Sequence, residues 1–260
     1  MGSNGINIQA ASDTAKLVER INKNQESQTF CLEDWIFSDM DLSKFTNILE
    51  LCSGTGKQSE YIVKLSNSAA KINLSDISED SSRLLKEKFS KNKQVTIHNQ
   101  NMDELLDSIT PGFDLILVSY GLYYSNYRED ILTGKISNLL NQGGMLIVVG
   151  PYRDNNYELF GFLRSHGVSI PRSVSYSCDG FMDNILHEML VYSKSVTMDF
   201  ADNVQKWSSS DSLLTYWKNS TFYDPEKEEE ISVSMRRHFE NSSSFHITKK
   251  IAKFIFVKKS

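Results

Sequence analysis

The chain has 260 residues, 40% of them hydrophobic and 23% charged, with a formal net charge of −5. That is ordinary globular composition, long enough for one large domain with a substantial core. The acidic balance does not favour polyanions, no run approaches the ~20 apolar residues of a membrane span, and three cysteines without C-x-x-C spacing argue against a disulfide framework or structural zinc.

The three thiols, Cys31, Cys52 and Cys178, read as reduced, which leads to the expectation of a cytoplasmic protein. The start "MGSNGINIQ" carries no apolar signal core, and Ile6 stands where a myristoylation signal has Ser or Thr. Residues 12–24 and "LEDWIFSDM" (32–40) are predicted as two helices. The pattern then changes to alternation. Strands are expected at "TNILELC", "AKINLSD", "QVTIHNQ", "FDLILVSY" and "MLIVVG", and helices at "GKQSEYIVKLS", "SEDSSRLLKEKFSK", "MDELLDS" and "REDILTGKISNLLN", the last with "QGG" as its C-cap. Five strands alternating with helices imply βαβ units and a doubly wound, mostly parallel sheet. After Gly150 the alternation stops. Helices are predicted at "YELFGFLRSHG", "GFMDNILHEML", "SSDSLLTYWKNS" and "DPEKEEEISVSMRRHFE". "SVTMDFA" and "FHITKKIAKFIFVKK" read as an antiparallel strand pair at one sheet edge.

The most informative stretch is "ILELCSGTGKQS", Ile48 to Ser59. A P-loop needs G-x-x-x-x-G-K-[ST], but the first Gly falls on Leu51 and the residue after Lys57 is Gln58. A dinucleotide fingerprint fits Gly54-Thr55-Gly56-Lys57-Gln58-Ser59, yet Glu50 would face a pyrophosphate across the turn. A third reading uses the acid. A carboxylate before Gly-x-Gly suits a cationic ligand, and the turn lets that ligand approach the backbone. At the end of the second strand, Asp76 is placed to accept the hydroxyls of a ribose, with Ile77 beside it for a purine face. S-adenosylmethionine carries a ribose, an adenine and a cationic amino-acid tail.

"ILELCSGTG", "INLSDIS", "HNQNMDEL", "FDLILVSYGLYY" and "LLNQGGMLIVV", in this order over residues 46–150, resemble the motifs of class I S-adenosylmethionine-dependent methyltransferases, closest to the small-molecule branch. The resemblance implies a Rossmann-like α/β methyltransferase fold with helical cover, S-adenosylmethionine as cofactor and S-adenosylhomocysteine as product. It implies that Glu50 holds the methionine ammonium and that Gly54 and Gly56 line the methionine and ribose. Asp76 would bind the ribose, Ile77 the adenine face, Asn101 and Met102 the adenine edge, and Ser119 the region of the sulfonium. Cys52 replaces the usual first Gly of the loop, and Asn101 replaces an Asp. Each of Glu50, Asp76 and Asn101 alone also reads as an ordinary strand-end acid or helix cap.

"SYGLYYSNY" lacks the N-P-P-Y type sequence used on planar amino groups, so adenine, cytosine and glutamine are disfavoured as acceptors. Tyr124 is the candidate pocket tyrosine and His187, with His166, a candidate base; Arg20 is the candidate partner of the methionine carboxylate. No His/Asp/Glu cluster has metal-ligand spacing. Residues 1–45 are expected to be an N-terminal helical cover and 46–260 the methyltransferase domain, with a substrate-covering insertion at 151–220. The expected activity is methyl transfer to O or N of a small molecule by a monomer or homodimer, with no nucleic acid and no membrane. A nucleic-acid or protein methyltransferase and a non-catalytic cofactor-binding protein are the rivals.

Overall fold

The computed structural model describes residues 13–260; the expectations on the first twelve residues lie outside it. Two helices lead, α1 (Thr14–Ser27) and α2 (Leu32–Phe37). Then follow β1 (Asn47–Leu51), α3 (Lys57–Leu65), β2 (Lys71–Asp76), α4 (Glu79–Lys88), β3 (Val95–Asn99), α5 (Met102–Ser108), β4 (Phe113–Ser119), α6 (Glu129–Leu139) and β5 (Leu140–Pro151). The C-terminal part adds α7 (Tyr157–Ser165), α8 (Arg172–Asp179), α9 (Phe181–Met189), β6 (Ser193–Trp207), α10 (Ser210–Lys218), α11 (Glu228–Asn241) and β7 (Phe245–Lys258).

The seven strands form one sheet in the order β3-β2-β1-β4-β5-β7-β6. The first five are mutually parallel, and β7 runs antiparallel between β5 and β6. The expected doubly wound sheet with an antiparallel edge pair is therefore the fold. Strand alternation divides the core between two faces. Ile48, Leu115, Leu117, Ile147 and Val149 pack with Ile36, Ile62 and Leu85 of α2, α3 and α4. Leu49, Leu51, Ile116, Val118 and Val148 pack with Leu105, Ile136 and Ile185 of α5, α6 and α9. The central residues of these strands are mostly apolar because helices cover both faces.

Two local expectations change, and one helix is added. The helix read as far as Asn141 with a Gly cap ends at Leu139, and the chain enters β5 directly. Gly144 is needed there for another reason: a Cβ on it would sit 2.9 Å from the Asn141 carbonyl oxygen and 3.0 Å from that of Phe113. The strand read as ending at Ala201 continues to Trp207, because β7 supplies hydrogen-bonding partners as far as Phe245. Finally, α8, which carries no clear apolar repeat, is held by burial of Ser173, Ser177 and Cys178.

Candidate active site

β1 and β4 are neighbours although β2 and β3 intervene in sequence, so the order of winding reverses between them. At such a switch point the loops after adjacent strands splay apart and leave a crevice at the carboxyl ends. A cavity of about 400 Å³ lies there, within the range of small-molecule sites.

The loop after β1 forms its floor. Cys52, Gly54 and Gly56 all adopt left-handed backbone, with φ of 57°, 53° and 77°. This alternation folds the loop tightly, with the Ser53 N–H donating to the Ser75 carbonyl at 2.8 Å and the Gly56 N–H to the Ser53 carbonyl at 2.9 Å. Asp76 ties the loop to β2: its carboxylate accepts the Gly54 N–H at 2.8 Å and the Ser78 N–H at 2.9 Å. Burial raises the pKa of Asp76, and those two N–H groups oppose the rise. Each bond uses one lone pair, so both oxygens keep acceptor capacity. Beside it Ile77 is 43% exposed, an apolar side chain on the rim of the crevice.

The remaining walls come from distant parts of the chain. α1 presents Leu17, Arg20, Ile21 and Asn24, one helical face, across the opening. Its first turn is anchored by Thr14 Oγ1, 2.7 Å from Ser78 Oγ and 2.9 Å from Ser81 Oγ. Its last two turns reach the C-terminal part, where Arg20 donates to the Asn219 carbonyl at 2.9 Å and Gln205 Nε2 donates to Asn24 Oδ1 at 2.7 Å. The segment expected to cover the substrate contributes Asn155, Val174, Cys178, Asn203 and Tyr216, among others, to the same cavity.

Of the residues singled out by sequence, Arg20, Cys52, Gly54, Asp76, Ile77, Asn101, Met102, Ser119 and Tyr124 converge on the cavity. Asn101 is also the N-cap of α5, accepting the Asp103 N–H at 2.8 Å, so the cap reading and the pocket reading both hold. Tyr124 lies in a 3₁₀ turn with its ring 4.6 Å from that of Tyr123. Burial raises its phenol pKa, against the opposing charge of Arg20.

Four residues singled out by sequence stand outside the cavity lining. Glu50 does not line the cavity. It is 2% exposed, on the α3 face of β1, and accepts a hydrogen bond from Ser59 of α3. Burial pushes its pKa up to about 8, against hydrogen bonds from Ser59 and Ser53. Gly56 lies behind the wall as the first cap of α3; a Cβ on it would meet Leu85 Cδ2 at 2.7 Å, so its role is close packing. His187 has a side chain 82% exposed, paired with Glu188 on the outside of α9. His166 is likewise away from the cavity and bonds the Phe162 carbonyl.

Sequence reasoning missed Asn203, Gln205 and Lys249. The first two lie in the unexpected extension of β6, where amides alternate with other residues up to Trp207; that period-2 alternation was the available signal. Lys249 was one of several lysines in β7 with nothing to set it apart.

The fold and crevice define a doubly wound α/β protein with a small-molecule-sized pocket at its switch point. Residues 48–144 match the family model of the methyltransferase domain. These residues form a methyltransferase domain, for which S-adenosylmethionine is the cofactor. No curated protein matches the sequence. Among solved structures the fold is similar to that of the YcgJ protein of Bacillus subtilis, with a TM-score of 0.60 and 11% identity over 87% of this chain and 97% of that one. It is also similar to the [4+2]-cyclase SpnF, with a TM-score of 0.52 and 15% identity over 88% and 80% of the two chains. A phosphoethanolamine N-methyltransferase 2 of Haemonchus contortus, solved with S-adenosylhomocysteine, has a TM-score of 0.51 and 12% identity over 92% and 53%.

Proposed function

We propose that the protein transfers a methyl group to an O or N atom of a small-molecule acceptor. The observation that carries this reading is the roof. α1 spans the crevice from Ser78 and Ser81 at one end to Gln205 and Asn219 at the other, so a helix roofs part of its opening. A roofed cavity of this size suits a metabolite better than a duplex or a folded protein surface. A net charge of −5 also speaks against a nucleic-acid acceptor.

The residues present fit the cofactor. Asp76 retains lone pairs for two ribose hydroxyls, Ile77 offers an exposed apolar face to adenine, and the left-handed Gly54 brings backbone close without a Cβ. Asn101 and Met102 flank the adenine edge, Ser119 lies at the end of β4, and Arg20 is the cation placed for the methionine carboxylate. Glu50 acts from beneath the loop through Ser53 and Ser59 rather than by direct contact. When bound, S-adenosylmethionine supplies a methyl group already attached to a sulfonium leaving group.

The chain's own part is to hold the acceptor in line and keep water out. Tyr124, whose phenol stays protonated at neutral pH, serves as a hydrogen-bond donor that orients the acceptor atom. The three unpaired cysteines suit a cytoplasmic location. Calorimetric titration with S-adenosylhomocysteine, followed by a screen of metabolites for the mass gain of one methyl, tests this reading. Absence of binding sinks it; binding with no methylated product in the screen favours a non-catalytic role.

A further inference from the structure

β7 pairs with β5 only from Ile251 to Val257, but with β6 as far as Phe245. The β6–β7 ribbon therefore projects past the parallel sheet and forms the wall of the cavity farthest from Asp76. Asn203 and Lys249 are partners across this ribbon and face the cavity together. Lysines alternate faces along β7, and two of them have acidic partners: Lys250 lies 3.8 Å from Asp154, and Lys253 lies 3.2 Å from Asp199. Among the described residues no carboxylate pairs with Lys249. Its Nζ is held by neutral groups alone, donating to Asn156 Oδ1 and the Tyr216 hydroxyl, and it lies 4.7 Å from the Tyr216 ring centroid.

Two further groups in the same wall lack a partner. Asn155, 6% exposed, donates through Nδ2 to Cys178 Sγ at 3.6 Å, and its Oδ1 is buried with no donor. Gln205, 2% exposed, uses its amide nitrogen on Asn24, and its Oε1 is buried with no donor. A buried carbonyl oxygen without a hydrogen bond is costly, so such groups mark where a ligand supplies what the protein does not.

We infer that the acceptor is a small organic carboxylate that also bears N–H or O–H groups: Lys249 receives the carboxylate, and the side-chain oxygens of Asn155 and Gln205 receive the donors. This rests on the small-molecule reading above. One ammonium, its neighbours Lys250 and Lys253 being paired with Asp154 and Asp199, suits a singly charged carboxylate better than a phosphate monoester. A wholly apolar acceptor would leave all three groups unmatched, and a cationic one would be repelled by Lys249.

The test uses the full chain saturated with S-adenosylhomocysteine. Hydroxybenzoates, aminobenzoates and α-hydroxy acids, each beside its methyl ester, are assayed for a rise in Tm. The acids are expected to raise it and their esters not. Lys249→Met is expected to abolish the response to the acids, Lys249→Arg to retain part of it, and both to leave S-adenosylhomocysteine affinity within threefold of wild type. Esters that act as well as acids, or no acid that acts, overturn the inference. So does a greater than threefold loss of S-adenosylhomocysteine affinity in Lys249→Met, which would assign the lysine to the methionine carboxylate. Failure of wild type to bind S-adenosylhomocysteine is a different result and strikes the methyltransferase reading of the site instead.

Discussion

The side chain of Cys52 occupies the space that a side chain on Gly121 would need: a Cβ built on Gly121 would lie 2.5 Å from Cys52 Cβ and 2.7 Å from its Sγ. Cys52 itself adopts φ 57°, a left-handed conformation that costs a non-glycine residue about 1–2 kcal/mol. The departure from the family's usual Gly at this position is thus matched by a Gly in the loop after β4. Gly121→Ala is expected to destabilise the protein by about 1–3 kcal/mol through overpacking. In a Cys52→Gly background the same change is expected to cost under ~1 kcal/mol, since the clash is gone. Urea denaturation of the two single variants and the double variant measures the coupling; equal costs in both backgrounds would refute it.

Asp76→Ala is expected to weaken S-adenosylhomocysteine binding at least tenfold. The carboxylate both offers charge-assisted acceptors to the ribose and holds the Gly54 N–H that shapes the loop. Calorimetry reads the affinity, and an unchanged Kd refutes the assignment.

Glu50 makes stability fall with rising pH in the unliganded protein. Its pKa is about 8 when folded, raised by burial from an ordinary 4.5, so between those values the folded state keeps a proton that the unfolded state has lost. The stabilising contribution is complete below about pH 4.5 and is lost progressively as pH rises to about 8, at up to ~1.4 kcal/mol per pH unit. Glu50→Gln has no such titration. The stability of wild type relative to this variant is therefore expected to decline by a few kcal/mol from pH 5 to pH 8, measured by denaturant melts. A difference independent of pH would be inconsistent with a neutral buried Glu50.

His187→Ala is expected to leave methyl transfer within twofold of wild type, and stability within about 0.5 kcal/mol, because the side chain stands in solvent on α9. Tyr124→Phe is expected to lower kcat about tenfold with S-adenosylhomocysteine affinity unchanged, since it removes a donor at the acceptor end only. Steady-state kinetics on an acceptor found in the screen separates the two.

Much of the site was legible in local sequence because the residues proposed to contact the cofactor lie at strand ends, where period and turn chemistry are strong. Asp76 and Ser119 end strands, and Ile77 and Asn101 follow strands, that announce themselves. Glu50 was legible as a residue but not as a position. Its place beneath the loop depends on the parity of β1, which sends Leu49 and Leu51 to one face and Ile48 and Glu50 to the other, where α3 brings Ser59. His187 looked eligible only because nothing in a helical repeat says which face of α9 is solvated.

The sequence by itself determined the doubly wound sheet, its Gly-x-Gly turn and the acid that follows β2, because these rest on periodicity and backbone freedom, which are local. Only the tertiary structure decided what closes the crevice. The reach of β6 to Trp207, the crossing of α1 from Ser78 to Asn219, and the isolation of Lys249 among neutral partners all join residues far apart in the chain. Which groups end up buried without a partner is settled by packing between elements, and no local pattern carries that information.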